Sequence, residues 1–265
     1  MTHSLSPAMH NAAIAALGLD AAFLALRTGP AAFEALVRSL LAAGGAACVT
    51  VPYKQAAARL AERPTELVRR TGACNVVWAV GTEVAGDNTD VAAVAAEARR
   101  LLEERAPRCT LLLGTGGAAR AVAVAIGDAW PASELAVGSR SAERAAAFAG
   151  WAAEAGIRCR AAGGSGGAGE AADLVVNATP LGLKADDPLP LSAGDLRRVG
   201  PAALLDLVYA RGETPLVREA RGLGIAAADG RGVLVGQGTA AFRRFFALEP
   251  PGEVMRAAVE DALRA

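Results

Sequence analysis

The chain has 265 residues, 53% of them hydrophobic, and its 27 basic and 27 acidic side chains cancel to a formal net charge of +0. That length fills one large domain or two modest ones, with two the preferred reading, and the balanced charge argues against a broad basic field for nucleic acid or an anionic membrane. No apolar run approaches the roughly 20 residues of a spanning helix, and no basic stretch followed by an apolar one opens the chain, so a soluble cytoplasmic protein is expected.

In chain order, Ser6 and Pro7 followed by Met9, Ile14 and Leu17 predict a first helix capped by Ser6 and ending at Gly18. A second helix is predicted over 30–41, with Phe33, Leu36, Val37 and Leu40 on one face. A short strand is expected over 48–51, stopped by Pro52, and a short helix over 66–70 before Gly72. A hairpin follows, with strands 76–80 and 83–85 around Gly81-Thr82. The Ala- and Arg-rich stretch 91–104 reads as a long helix connecting to a second domain. Beyond it, strands at 110–113, 135–137, 158–160, 174–177, 204–207 and 225–227 alternate with helices at 118–126, 142–155 and 215–222, the pattern of a parallel sheet covered on both faces. Gly163 to Gly167 reads as a surface loop, and helices at 239–246 and 251–264 end the chain.

Two polar islands interrupt this Ala-rich background: Cys48-Val49-Thr50-Val51-Pro52-Tyr53-Lys54 and Gly86-Asp87-Asn88-Thr89-Asp90. Lys54 and Asp90, brought together in a cleft, would pass a proton to and from a substrate oxygen. The alternatives are limited by composition. His3 and His10 are the two histidines, and Cys48, Cys74, Cys109 and Cys159 are widely spaced with no C-x-x-C pair. A His-based zinc site or a Ser-His-Asp triad therefore has little to draw on, reduced thiols are expected, and no metal is expected.

Leu111-Leu112-Leu113-Gly114-Thr115-Gly116-Gly117-Ala118-Ala119-Arg120 reads as a buried strand, a glycine turn and a helix start. Glycines there let the backbone approach a diphosphate at a helix N-terminus, and Ala119 in place of a third glycine still permits close helix–sheet packing. A plain strand-turn-helix is the alternative. Some 20 residues on, where an acid would bind the ribose hydroxyls of NAD, the strand ends Val137-Gly138-Ser139-Arg140-Ser141-Ala142-Glu143-Arg144. Arg140 and Arg144, four apart, can converge on the 2′-phosphate of NADP, although two solvated arginines opening a helix would look the same. A proton relay beside a dinucleotide suggests hydride transfer. The expected fold is α/β in two domains: an N-terminal substrate-binding domain, 1–90 completed by 237–265, and a Rossmann-type parallel-sheet NADP-binding domain, 91–236.

Several short motifs occur together: His3-Ser4-Leu5-Ser6-Pro7, Val49-Thr50-Val51-Pro52-x-Lys54, Gly72-Ala73-x-Asn75 and Asn88-Thr89-Asp90, then Asn177-Ala178-Thr179-Pro180-Leu181-Gly182, Asp206-x-Val208-Tyr209 and Leu234-Val235-x-Gln237. Their order and spacing resemble those of shikimate dehydrogenases across essentially the whole chain. The resemblance implies NADPH-dependent reduction of 3-dehydroshikimate to shikimate, a small ring acid, by a monomer or homodimer. Quinate or aminoshikimate dehydrogenase, or a non-catalytic NADP-binding relative, are the alternatives. It further implies that Lys54 and Asp90 act at the reacting oxygen, that Ser4, Ser6 and Tyr209 hold the substrate carboxylate, and that Thr50, Asn75 and Gln237 bind ring hydroxyls. Ser6 as a helix cap, Asn75 as a turn residue and Gln237 as a helix-start residue are the plainer alternatives. The cofactor contacts implied are Gly114, Gly116, Gly117, Ala118, Ser139, Arg140, Arg144 and Thr179. Cys48 stands where the family usually has asparagine, Val76 where it has threonine, and the strand that the family places before His3 has no counterpart in this sequence.

Overall fold

The computed structural model describes residues 4–162, 169–184 and 186–264, so the glycine-rich patch lies outside the described residues apart from its surroundings. The chain divides into two compact units, 1–93 with 234–265 and 94–233.

The first unit opens with α1 (Ser6–Ala16). Contrary to the expected cap, Ser6 is already helical: Leu5 occupies the cap position, no side chain caps the helix, and Pro7 supplies the first-turn residue that needs no N–H partner. A 3-10 turn (Pro30–Ala32) leads into α2 (Phe33–Ala42), which buries Phe33, Val37 and Leu41. Next come β1 (Ala46–Cys48), α3 (Lys54–Leu60), β2 (Arg63–Pro64), α4 (Glu66–Thr71), β3 (Val76–Val80), β4 (Glu83–Asp87) and α5 (Asp90–Leu101). The strands form a four-stranded sheet in the order β1-β3-β4-β2, antiparallel except for the parallel β2–β4 pair.

Strand β1 lies two residues earlier than the sequence suggests. Pairing with β3 ends at Cys48↔Val76, and the Tyr53 N–H turns back to Thr50 O at 2.9 Å, so Thr50 to Tyr53 form a turn that launches α3. That helix has no counterpart in the sequence reading. Strand β4 is packed closely enough that a Cβ on Gly86 would lie 2.8 Å from Ala61 Cβ and 2.9 Å from Cys74 Sγ.

The second unit holds β5 (Cys109–Leu113), α6 (Gly117–Ala129), β6 (Glu134–Gly138), α7 (Ala142–Glu154), β7 (Cys159–Ala161), β8 (Leu174–Asn177), α8 (Ala193–Val199), β9 (Ala203–Asp206), α9 (Pro215–Gly222) and β10 (Ala226–Ala228). All six strands run parallel in the order β7-β6-β5-β8-β9-β10. Leu111, Leu112, Val175, Val176, Leu204 and Leu205 are fully buried, as continuous apolar strands are when both faces are covered. Counted from one, the order is 3-2-1-4-5-6, whose direction reverses between β5 and β8, the place where such sheets bind ligands.

The chain ends in α10 (Arg231–Phe246) and α11 (Gly252–Arg264). Helix α10 begins eight residues before the expected 239, because Gly236 and Gly238 are packing positions that do not break the helix: a Cβ on Gly236 would lie 3.2 Å from Ala93 Cβ, and one on Gly238 would overlap the Met9 side chain. Met9, Phe242 and Met255, all fully buried, form the centre of the helical cluster that closes the first unit, and each contributes about 1.5–3 kcal/mol through burial.

Candidate active site

Lys54 is the first residue of α3 and Asp90 the first residue of α5, so each helix start projects one ionisable group. Lys54 Nζ donates to Asp90 Oδ2 at 2.6 Å, with the side chains only 16% and 15% exposed. The other carboxylate oxygen accepts from Asn75 Nδ2 at 2.9 Å. Asn75 is itself fixed by backbone on both sides: its carbonyl accepts from Val49 N at 2.7 Å and its N–H donates to Asp87 O at 3.0 Å. Its amide oxygen accepts from Thr89 N at 2.8 Å, and its Nδ2 also reaches Thr89 Oγ1 at 3.0 Å and Gln237 Oε1 at 3.4 Å. Gln237 in turn donates to Leu234 O at 2.9 Å. A charged pair held this way is oriented before any substrate arrives, the condition under which acid–base groups work best.

The structure thus brings Lys54, Asp90, Asn75 and Gln237 into one network. Ser4 and Ser6 lie half-buried at the start of α1 and Thr50 is exposed in the turn before α3; among the described residues, no hydrogen bond ties these three to the network. Tyr209 belongs to the second unit, where burial pushes its phenol up from the ordinary value. Cys48 is close enough to feel both members of the pair. Burial, with the Asp90 carboxylate adding and Lys54 opposing, pushes its thiol up to about 12, so it is held as a neutral thiol beside the pair.

Two supports escaped sequence reasoning. Thr89 stands in the polar island but was assigned no role, and it holds Asn75 from both ends of the amide. Asp87 is gripped by Thr65 Oγ1 at 2.8 Å and by Arg244 at 2.8 and 3.1 Å, with the same guanidinium 5.4 Å from the Trp78 ring centre. The signal for Thr89 and Asp87 was their presence in the island; Arg244 lies 157 residues from Asp87 in sequence and carried none.

In the second unit, Gly114 directly follows β5 with φ +107°, and a Cβ there would lie 3.1 Å from Ala178 O and 3.2 Å from Thr179 Cγ2. Only glycine fits. Gly116 is different. It caps α6 in an extended conformation with no side-chain cap, and a Cβ on it would meet nothing within 4 Å. Its bareness therefore serves no packing within the chain; it leaves the free N–H groups at Gly117 and Ala118, in a first turn without acidic residues, open to an anion. Ala119, fully buried, seats the helix on the sheet.

Arg140 and Arg144 follow β6, both exposed, and among the described residues neither forms an ion pair. Ser139 Oγ accepts from Ser141 N at 3.3 Å, and Ser141 Oγ caps α7 by accepting from Arg144 N at 3.2 Å, so the segment carrying both arginines is anchored. Thr179 Oγ1 donates to Asn177 Oδ1 at 2.6 Å. These features fit a phosphorylated dinucleotide: a bare helix start for the diphosphate and two unneutralised guanidinium groups beyond the next strand.

A parallel sheet opened by a glycine turn at its switch point, in a chain that also carries a partly buried lysine–carboxylate pair, defines a dinucleotide-dependent oxidoreductase built of two α/β units. Residues 1–77 match the shikimate dehydrogenase substrate binding domain and residues 230–260 the shikimate 5′-dehydrogenase C-terminal domain. A shikimate dehydrogenase (NADP(+)) of Rubrobacter xylanophilus is 41% identical over 98% of this chain and 92% of its own length. The chain belongs to the shikimate dehydrogenase family. Among solved structures, the shikimate 5-dehydrogenase of Thermus thermophilus in complex with NADP(H) and shikimate is similar at a TM-score of 0.85 and 33% identity, covering 98% of this chain and 95% of that one. The quinate dehydrogenase of Corynebacterium glutamicum in complex with NAD follows at 0.84 and 30%, covering 97% and 94%. Among the described residues no helix is long and apolar enough to cross a membrane, and no group of His, Cys, Asp and Glu could hold a metal ion.

Proposed function

We propose that this chain catalyses the NADP-dependent interconversion of 3-dehydroshikimate and shikimate. The observation that carries the reading is the 2.6 Å Lys54–Asp90 pair, clamped by Asn75 on its second carboxylate oxygen. Bound in the second unit, NADPH would supply the hydride for the ring carbonyl carbon, and NADP+ would accept it in the reverse direction. Lys54 donates a hydrogen bond to the reacting oxygen, stabilises the negative charge that grows there and hands over a proton. Asp90 keeps the ammonium aimed. Ser4, Ser6 and Tyr209 take the substrate carboxylate, while Thr50, Asn75 and Gln237 read the ring hydroxyls; polar donors of this kind discriminate between substrates far better than an apolar pocket does.

In the second unit, the N–H groups of Gly116, Gly117 and Ala118 receive the diphosphate, and Arg140 and Arg144, with Ser139, receive the 2′-phosphate. Thr179 borders the nicotinamide side of the crevice. The domain functions follow: residues 1–90 with 237–265 take the ring acid, and 91–236 take the dinucleotide. We place the protein in the cytoplasm, where its four free cysteines stay reduced, as a monomer or homodimer. Quinate is the second reading, favoured by the Cys48 thiol beside the catalytic pair and by the likeness to a quinate dehydrogenase.

The test follows the absorbance of reduced nicotinamide with shikimate and with quinate, each with NADP+ and NAD+. Shikimate with NADP+ should give the highest kcat/KM; a preference for quinate moves the assignment to the second reading. Lys54→Ala should lower kcat by about 100-fold or more while NADP+ still binds, since general acid–base groups contribute roughly that much. Unchanged turnover in that variant would remove Lys54 from the chemistry.

A further inference from the structure

Asp206 is fully buried at the last position of β9, in register with Asn177 at the end of β8. Three donors surround it. Asn177 Nδ2 donates to its Oδ1 at 2.8 Å, Val208 N donates to the same oxygen at 3.1 Å, and the Thr214 hydroxyl donates to Oδ2 at 2.7 Å. Each partner belongs to a different segment: Thr214 is the cap of α9, Val208 lies in the stretch that leads from β9 to Tyr209, and Asn177 ends β8.

Asn177 passes the constraint onward. Its Oδ1 accepts from both Thr179 N at 3.0 Å and Thr179 Oγ1 at 2.6 Å, and its Nδ2 also reaches Leu181 O at 3.3 Å. The turn fixed in this way is the wall on which Gly114 packs, with Ala178 O and Thr179 Cγ2 at the positions that a Gly114 side chain would need. A continuous chain of contacts therefore runs from Thr214 through Asp206, Asn177 and Thr179 to the glycine turn, entirely within the second unit.

Strand pairing alone does not explain a carboxyl group here. Burial pushes it up from the ordinary carboxylate value, with the nearby charge of Asp229 acting in the same direction and the hydrogen bonds from Thr214, Asn177 and Val208 opposing, whereas leucine fills the two preceding positions of β9. A buried acid of this kind is a poor source of stability compared with an apolar side chain. What the ionised carboxylate offers is an acceptor-only group for the three donors around it; an amide would turn an N–H towards one of them.

We propose that Asp206 is a positioning residue for dinucleotide binding: it fixes the Ala178–Thr179 turn beside Gly114, and with it the width of the crevice between β5 and β8, without touching the ligand. The proposal rests on the reading of this unit as the NADP site. Two variants test it, Asp206→Asn, which keeps shape but misdirects one hydrogen bond, and Thr214→Val, which deletes a remote bond to the same carboxylate.

NADP+ alone is titrated into each protein, KM for NADPH is compared with kcat, and thermal midpoints are recorded. Asp206→Asn should weaken NADP+ by about tenfold, the value of roughly one hydrogen bond, with KM for NADPH rising more than kcat falls. Thr214→Val should shift both in the same direction by less, and it carries the test if Asp206→Asn does not fold. Lower thermal midpoints with wild-type NADP+ affinity would reduce Asp206 to a purely structural role and overturn the proposal. Wild-type protein that fails to bind NADP+ would sink the underlying reading instead, a result visible before any variant is made.

Discussion

His10 is the least expected residue in the first unit. It lies on α1 fully buried, its ring stacked on Phe23 at 4.3 Å and near-parallel to Phe242 at 6.2 Å, with Phe245 also within 6.2 Å. Both ring nitrogens are buried without a hydrogen-bond partner. Burial lowers its pKa from 6.5 to about 4. The unfolded chain therefore binds this proton at a higher pH than the folded one, so stability is complete above the unfolded value and falls as pH drops from 6.5 towards 4. The full loss, reached below the folded value, is about 3.5 kcal/mol, from roughly 1.4 kcal/mol per pKa unit. Denaturant titrations across that window should show the decline in the wild type, and His10→Leu should flatten it without loss at neutral pH, because an apolar group replaces two unsatisfied atoms. An equal slope in the variant would assign the acid sensitivity to other groups. Nothing in the sequence pointed to this, since a single histidine among alanines carries no mark of what will cover it. Lys54 and Asp90 were legible for the opposite reason: in an Ala-rich chain, clustered polar residues stand out, and the structure puts them in contact.

At the scale of elements, legibility followed the strength of local signals. The parallel strands could be read almost to the residue because the central ones, β5, β8 and β9, are largely apolar runs, whereas β7, Cys-Arg-Ala at the sheet edge, was read from the alternation of elements; α9 begins where its cap and proline indicate. Helix α8 was missed although it carries a full capping box, Ser192 with Asp195, and ends at Gly200 in the left-handed region; seven residues offered too little periodicity. Glycine was the most misleading residue, since it marks turns in some places and contacts in others. Gly230 is a contact: its N–H donates to Val208 O at 3.0 Å, and a Cβ on it would overlap Leu207 O and lie 2.8 Å from the carbonyl carbon, both backbone atoms that cannot step aside. Gly150, inside α7, has nothing within 4 Å of its missing side chain. Gly230→Ala should therefore cost about 1–3 kcal/mol by overpacking. Gly150→Ala should gain about 1 kcal/mol from helix propensity. Chemical denaturation of the two variants reads both, and equal effects would mean that the backbone at Gly230 relaxes freely.

For the whole molecule, the proposed division of labour between two units predicts that the ligands are separable in a thermal experiment. A ligand that binds only the folded protein stabilises it by mass action, about 2.7 kcal/mol at a hundred times its Kd, whichever unit receives it. Arg140 and Arg144 stand on the segment after β6, exposed and, among the described residues, outside any ion pair, so their removal disturbs no internal partner and leaves the first unit untouched. Replacing both with alanine should weaken NADP+ by about 1.5–3 kcal/mol for each charge-assisted bond lost, and so abolish most of its thermal shift. The NAD+ shift should fall much less, because NAD+ lacks the 2′-phosphate, and the shikimate shift should persist if, as proposed, the ring acid is held by residues of other segments. Equal loss of the NADP+ and NAD+ shifts would mean that the arginines support the diphosphate or the fold of α7 and do not choose between the cofactors. Loss of the shikimate shift as well would show that the two binding events are coupled through the unfolding of the whole chain. The pattern of three ligands against one double variant thus separates cofactor selection, cofactor binding and global stability in a single set of melts.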